Sequence, residues 1–160
     1  MFKVTASRKV LQSFGLATAI SLATASAAFA GECPADKMKS NARPMVDYKP
    51  VGVTDVTLGS IDLGKQPAHI AGRELRFRKL TIEPGGIVPW HSHDDRPALI
   101  FVQQGEIVEY ASNCLDPIVH KAGDLRPEVY GTSHWWKNLG TETVILYVGD
   151  VRKDPTDHNM

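Results

Sequence analysis

Beyond residue 30, no window longer than ten residues shows a convincing helical period, and this punctuation constrains the chain more than any other feature. Short runs rich in β-branched and aromatic residues, "VTDVTL", "LRFRKLTI", "ALIFV", "EIVEY" and "TVILYVGDV", are separated by turn signals such as "EPGG", "QQGE", "SNCLDP" and "NLGTET". Such runs fit a pleated, half-buried surface, and the glycines and prolines between them supply backbone angles that neither a helix nor a central strand tolerates. Many short strands with Gly and Pro turns predict an all-β antiparallel sandwich or barrel. The length suits a single core, and no internal repeat is visible.

The N-terminus reads differently. Lys3, Arg8 and Lys9 have no acidic partner, residues 10–30 carry no charge, and the run closes on Ala28-Phe29-Ala30. A basic start, an uncharged middle and an A-x-A end predict a secretory signal peptide cleaved between Ala30 and Gly31. The expected product is periplasmic or secreted, with no stable membrane anchor. Cleavage removes three of the 18 basic residues and none of the 18 acidic ones, leaving a formal charge of −3. Nothing in that balance invites nucleic acid. Residues 31–72, with Pro34, Pro44 and Pro50, are expected to form an irregular arm and a first strand, residues 73–151 the barrel, and residues 152–160 a tail. Cys33 and Cys114 remain in a compartment where disulfides persist, so a bridge tying the arm to the body is the favoured reading over two separate buried thiols.

Strand geometry bears on the histidines. Side chains alternate across a strand, so His91 and His93 in "WHSHDDRPALIFVQQGE" project to the same side, as two ligands of one ion would. An isolated H-x-H is weak. His134, in "YGTSHWWKN", supplies a third imidazole from a separate strand that opens after a glycine turn.

Together these stretches resemble the cupin family of the single-domain type, over roughly residues 75–150. Gly85, His91, His93 and Gly105 match the first cupin motif, G-x5-H-x-H-x3,4-E-x6-G, and Gly123, Gly131, His134 and Asn138 match the second, G-x5-P-x-G-x2-H-x3-N. The resemblance implies a small antiparallel jelly-roll β-barrel and one divalent transition metal, with iron, zinc, manganese, nickel and copper not distinguished. Carried over residue by residue, the ligands are His91, His93 and His134. Two positions depart from the pattern. Val129 stands where the second motif has proline, and Ala98 occupies the slot of the glutamate ligand. Three neutral imidazoles leave a divalent ion its full charge, so the site is expected to favour a small anionic ligand.

Parity extends the reading. If His134 points inward so does Trp136, and if Ala98 keeps the direction of the missing glutamate, Ile100 and Val102 join it. Trp136, Ile100 and Ala98 are therefore the candidate substrate-contacting residues, against the plainer reading that they are barrel core. Leu99 and Phe101 should face outward, where a second sheet or the partner of a homodimer would cover them. Asp95 shares the parity of His93 as a substitute carboxylate, although "DDRP" reads more simply as a solvated turn. Arg76 and Arg78 are expected on a solvated face, with the alternative that one grips a substrate carboxylate. His69, His120 and His158 have no motif context and are expected at the surface. Tyr130 is a candidate general base only if it turns inward.

Three functions follow from the resemblance: a dioxygenase-like enzyme acting on a small anionic metabolite, a lyase or isomerase using the ion as Lewis acid, and a non-catalytic module for metal or a small ligand. No catalytic residue is assigned at this stage.

Overall fold

The structure, a computed structural model, describes residues 31–153; the expected leader and His158 lie outside the described residues. It is an all-β jelly-roll barrel of antiparallel strands: β1 (Val51–Asp62), β2 (Glu74–Ser92), β3 (Ala98–Gln104), β4 (Glu106–Ala111), β5 (Ile118–Lys121), β6 (Leu125–Glu128), β7 (Ser133–Lys137) and β8 (Val144–Arg152). The strand order is β5-β4-β7-β2-β8-β3-β6, with β1 added beside β2. This is the expected fold class. Pro127 sits in β6, an edge strand paired only with β3, where a missing N–H costs least.

β2 holds the barrel together because it changes partners along its length. Residues 74–82 pair with β8, and residues 87–92 pair with β7. The change occurs around Pro84-Gly85-Gly86. A Cβ on Gly86 would meet Ile82 Cγ2 at 2.7 Å and the Glu83 carbonyl at 2.8 Å, so only glycine lets the strand fold so tightly on itself. Beyond that bend β2 carries His91 against β7.

Period-two burial along β2, β3 and β8 sends Leu80, Ile82, Ile100, Val102, Val144, Leu146 and Val148 inward, where they pack with Val88, Ile107 and Trp136. Leu99 and Phe101 face outward, as parity requires. At the other end, the turn between β5 and β6 closes on the β3–β4 turn, with Gly123 N donating to Val102 O and Ala122 N to Gly105 O.

One expectation fails here. Arg76 and Arg78 are not solvated: they are 5% and 3% exposed, while Leu75 and Phe77, which alternate with them, face outward. The cause lies on the neighbouring strand. Asp150 is the register partner of Arg76 and accepts two hydrogen bonds from its guanidinium, at 3.0 and 2.5 Å. Arg78 donates to Asp55 and lies 3.8 Å from Asp150, as Arg96 does at 3.9 Å. A carboxylate 1% exposed thus makes an inward arginine face tenable.

The arm is tied at its start. Cys33 and Cys114 form a disulfide across 81 residues, with Cα atoms 5.8 Å apart. Next to it, Leu115 N donates to Lys37 O and Lys39 N to Asn113 O.

Two stability measurements follow. Asp150→Asn should lower the unfolding free energy by about 3–5 kcal/mol, because three arginines lose a buried partner, and a urea midpoint will read it. Cys33→Ser with Cys114→Ser should cost roughly 4 kcal/mol through restored chain entropy of the unfolded state, read in the same titration.

Candidate metal centre

His91 is the last residue but one of the long strand β2, His93 directly follows the strand, and His134 lies in β7 as the direct cross-strand partner of His91. The turn carrying His93 is pinned by its own N–H to Thr132 O at 2.9 Å and by Asp94, whose Oδ1 accepts from Gly131 N at 2.9 Å. Two stretches distant in sequence are thereby brought into one register. His91, His93 and His134 are 7%, 2% and 0% exposed.

The ring orientations follow from hydrogen bonding. Pro89 O lies 2.9 Å from His91 Nδ1, and Arg96 O lies 2.8 Å from His93 Nδ1. A carbonyl only accepts, so both Nδ1 atoms must carry the proton. His134 Nδ1 donates likewise to Glu109 Oε1 at 2.7 Å. In the neutral rings all three Nε2 atoms are lone pairs, and His134 Nε2 lies 3.0 Å from the Nε2 of His93 and 3.0 Å from that of His91.

His91 and His93 are not arranged to take up extra protons. Burial, followed by the neighbouring imidazoles, pushes His91 well below its ordinary value and His93 down to about 3. The donor set fits a cation instead. Neutral imidazoles suit zinc, copper, iron and nickel, and two nitrogens about 2.0–2.1 Å from one ion readily lie this close.

Behind His134 stands a buried layer that motif reading missed. Glu109 of β4, 0% exposed, bridges His134 Nδ1 and His120 Nε2, the latter at 2.8 Å. Burial alone would raise this carboxyl, but the hydrogen bonds from His120 and His134 prevail and hold it far below the usual carboxylate range. Glu128 of β6 lies 3.5 Å from His134 Nδ1 and is raised to about 7, chiefly by burial. Arg126 sits between the two carboxyls, 3.4 Å from Glu109 and 3.3 Å from Glu128.

These carboxyls contact the Nδ1 side of His134, not the point where the Nε2 atoms meet. They orient a ligand; they do not replace the missing glutamate. His120, expected at the surface, is wholly buried because Glu109 gives it a partner and Trp136 stacks on it with ring centroids 4.5 Å apart. Strand parity was the available signal, since Glu109 shares the face of Ile107 and His120 that of Ile118. Polar residue type argued the other way.

The remaining candidates fall as follows. Ile100 and Trp136 line a cavity beside the triad together with His91, His93, Arg78 and Val148. Trp136 aims its indole N–H at the face of the His134 ring, with Nε1 3.2 and 3.3 Å from the two ring nitrogens. Ala98 is buried in the core but does not line this cavity. The cavity measures about 20 Å³, room for roughly one water-sized molecule, so a ligand held there in this conformation must be very small. Asp95 is exposed and bound to Arg73, so it is no substitute ligand; Asp94 and Asp95 are solvated, whereas Arg96 between them and the next strand is buried. Tyr130 is 83% exposed and does not turn inward, and His69 is exposed as expected.

Comparison with known proteins places residues 78–149 in a match to the family described as the cupin domain. Among solved structures, KdgF from a Halomonas species superposes with a TM-score of 0.50 at 12% identity, covering 71% of this chain and 94% of that one. A predicted oxalate decarboxylase from Thermotoga maritima gives a TM-score of 0.44 at 23% identity, over 48% of this chain and 65% of that one. The cupin domain of Schizosaccharomyces pombe Cnp3 gives 0.49 at 16% identity, over 68% and 66%. The chain thus spans slightly less than two thirds of the length of the latter two. At these identities the likeness is one of fold. No curated protein matches the sequence.

The shifted groups set a pH dependence for the metal-free protein. His91 and His93 lie below their unfolded value of 6.5, so the unfolded chain binds more protons and their contribution is lost as pH falls through 6.5. Glu128, raised from 4.5 to about 7, works oppositely: its contribution is present below 4.5 and lost as pH rises toward 7. Two histidines against one carboxyl leave a net difference of about one proton, so between these limits stability should rise by about 1.4 kcal/mol per pH unit. In Glu128→Gln the slope should approximately double. Urea titrations of chelator-treated protein at pH steps across that window measure both.

Proposed function

We propose that this chain is an exported cupin that holds one divalent transition metal on His91, His93 and His134 and acts on a very small anionic molecule. The observation that carries the reading is the meeting of three Nε2 atoms, each on a ring fixed by a hydrogen bond on its far side. Buried lone pairs in mutual contact are costly unless a cation lies among them. The disulfide accords with an oxidising compartment, as the leader does.

Charge and space support the choice of ligand. Three imidazoles cancel none of an ion's charge. Arg78, which lines the same cavity, belongs to a buried group of three guanidiniums around Asp150 and Asp55, so the surroundings carry an excess of positive charge. The cavity admits a diatomic molecule or a small anion. When bound, a transition ion supplies Lewis acidity and, if iron or copper, an electron couple. The chain's own residues do the rest: Glu109 keeps the His134 proton on Nδ1, Arg78 attracts and orients negative charge, and Leu80, Val88, Ile100 and Trp136 keep bulk water out. Oxidation by dioxygen is the leading reaction class.

A second reading is favoured by what lines the cavity. Among the described residues there, none but the histidines themselves could move a proton. With so little free volume, a non-catalytic metal or small-ligand module fits the same geometry. A lyase or isomerase, which needs a proton-transferring side chain beside its substrate, is less well served.

Elemental analysis of protein purified after export should find close to one transition ion per chain. His134→Ala should weaken metal binding more than about 100-fold, and Glu109→Gln by about 10–100-fold, measured by competition with a chromophoric chelator. Oxygen consumption with a panel of small acids and thiols then separates enzyme from module. Protein without an ion, and variants indistinguishable from the parent, would remove the metal reading altogether.

A further inference from the structure

The buried layer behind His134 has one open end. His120 Nε2 lies 2.8 Å from Glu109 Oε2, a carboxylate that accepts, so His120 carries a proton on Nε2, and the neutral ring presents Nδ1 as an acceptor. That Nδ1 is buried and has no hydrogen-bond partner among the described residues. An orphaned acceptor in a fully buried ring is unusual enough to require a reason.

What faces this atom is Gly31. A Cβ built on Gly31 would stand 2.6 Å from His120 Nδ1 and 3.2 Å from Cε1, so any residue but glycine collides with the imidazole edge. Gly31 is itself buried. It is also the residue that directly follows Ala28-Phe29-Ala30, the expected leader peptidase site. Two unrelated observations thus meet at one residue.

Hydrolysis of the Ala30–Gly31 bond consumes one water and leaves a carboxylate on Ala30 and an ammonium on Gly31. That ammonium is one bond from a Cα already packed on the ring, and its rotation about Cα–C is no longer limited by a preceding residue. It brings three donors to an atom that needs one. Cys33, two residues further on, is bonded to Cys114 of the body, so the new terminus is held within reach at high effective concentration.

We propose that removal of the leader creates an N-terminus that docks on Nδ1 of His120 and completes a chain of contacts from the Gly31 ammonium through His120 and Glu109 to His134. His120 and the Gly31 amine are positioning groups. They fix the carboxylate that in turn fixes the third metal ligand, so that maturation and site assembly are one event. Only the last link rests on the metal reading; the docking itself does not.

The test uses the exported protein, its first residue read by mass spectrometry, beside a chain that begins one residue earlier at Ala30. The chain beginning at Gly31 should melt about 3 °C or more higher. Its α-amine should resist acetylation under conditions that modify the exposed Lys49 and Lys65, whose side chains are 82% and 81% accessible. The nitrogen resonance of His120 Nδ1 should differ between the two chains as that of an acceptor with and without a donor. Metal affinity should be about 10-fold weaker in the longer chain. A leader removed elsewhere, or a Gly31 amine acetylated as readily as those lysines with the His120 signal unchanged, overturns the proposal. If the docking signals hold while neither chain binds zinc or iron, the docked terminus stands and the metal reading alone falls.

Discussion

The Nε2 atoms of His91 and His93 each lie 3.0 Å from that of His134, and the surrounding barrel holds all three rings in place. Each ring is gripped on its far side by an acceptor: a carbonyl two residues back for His91, a carbonyl three residues ahead for His93, and a buried carboxylate for His134. The first two grips are local to the β2 end and the turn after it. The third is not. It requires β4 to lie against β7, which places Glu109 behind His134, and it requires β5 and β6 to supply His120 and Arg126 as partners for the charge of that carboxylate.

The interior is accordingly divided. Aliphatic residues of β2, β3 and β8 form a conventional apolar core, while the carboxylates Glu109 and Asp150 sit buried with histidine and arginine partners at separate places in the same barrel. Buried charges of this kind are poor contributors to net stability, since the desolvation they require consumes most of the attraction they gain. Their retention is easier to understand as orientation: Asp150 keeps Arg76 and Arg78 inward, and Glu109 keeps His134 in one tautomer. Glycine has a comparable role at Gly86 and Gly31, where the chain approaches other atoms too closely for a side chain.

Much of this was legible residue by residue. Turn punctuation was enough for an antiparallel barrel, because glycine and proline interrupt strands for reasons local to the backbone. Period-two alternation correctly separated Ile100 and Val102 from Leu99 and Phe101. It misled at "LRFRKLTI", where Leu75 and Phe77 were the natural inward choice. Arg76 and Arg78 share their parity with Leu80 and Ile82, and only the presence of Asp150 across the ladder decides which set is buried. His120 was misplaced for the same reason. A charged or polar residue is assigned to water unless its partner is known, and partners come from other strands.

The alternation, the turns, the two cysteines as bridge candidates and the three histidines as a set are written in the chain, because each depends on spacing along it or on residue chemistry alone. Tertiary structure decided what those residues meet. Glu109 behind His134, Asp150 among three arginines and a cavity of only about 20 Å³ arise from strand register between segments tens of residues apart, while Gly31 meets His120 where the disulfide ties the arm to the body. Register is set by the packing of the whole barrel, and no local pattern encodes it.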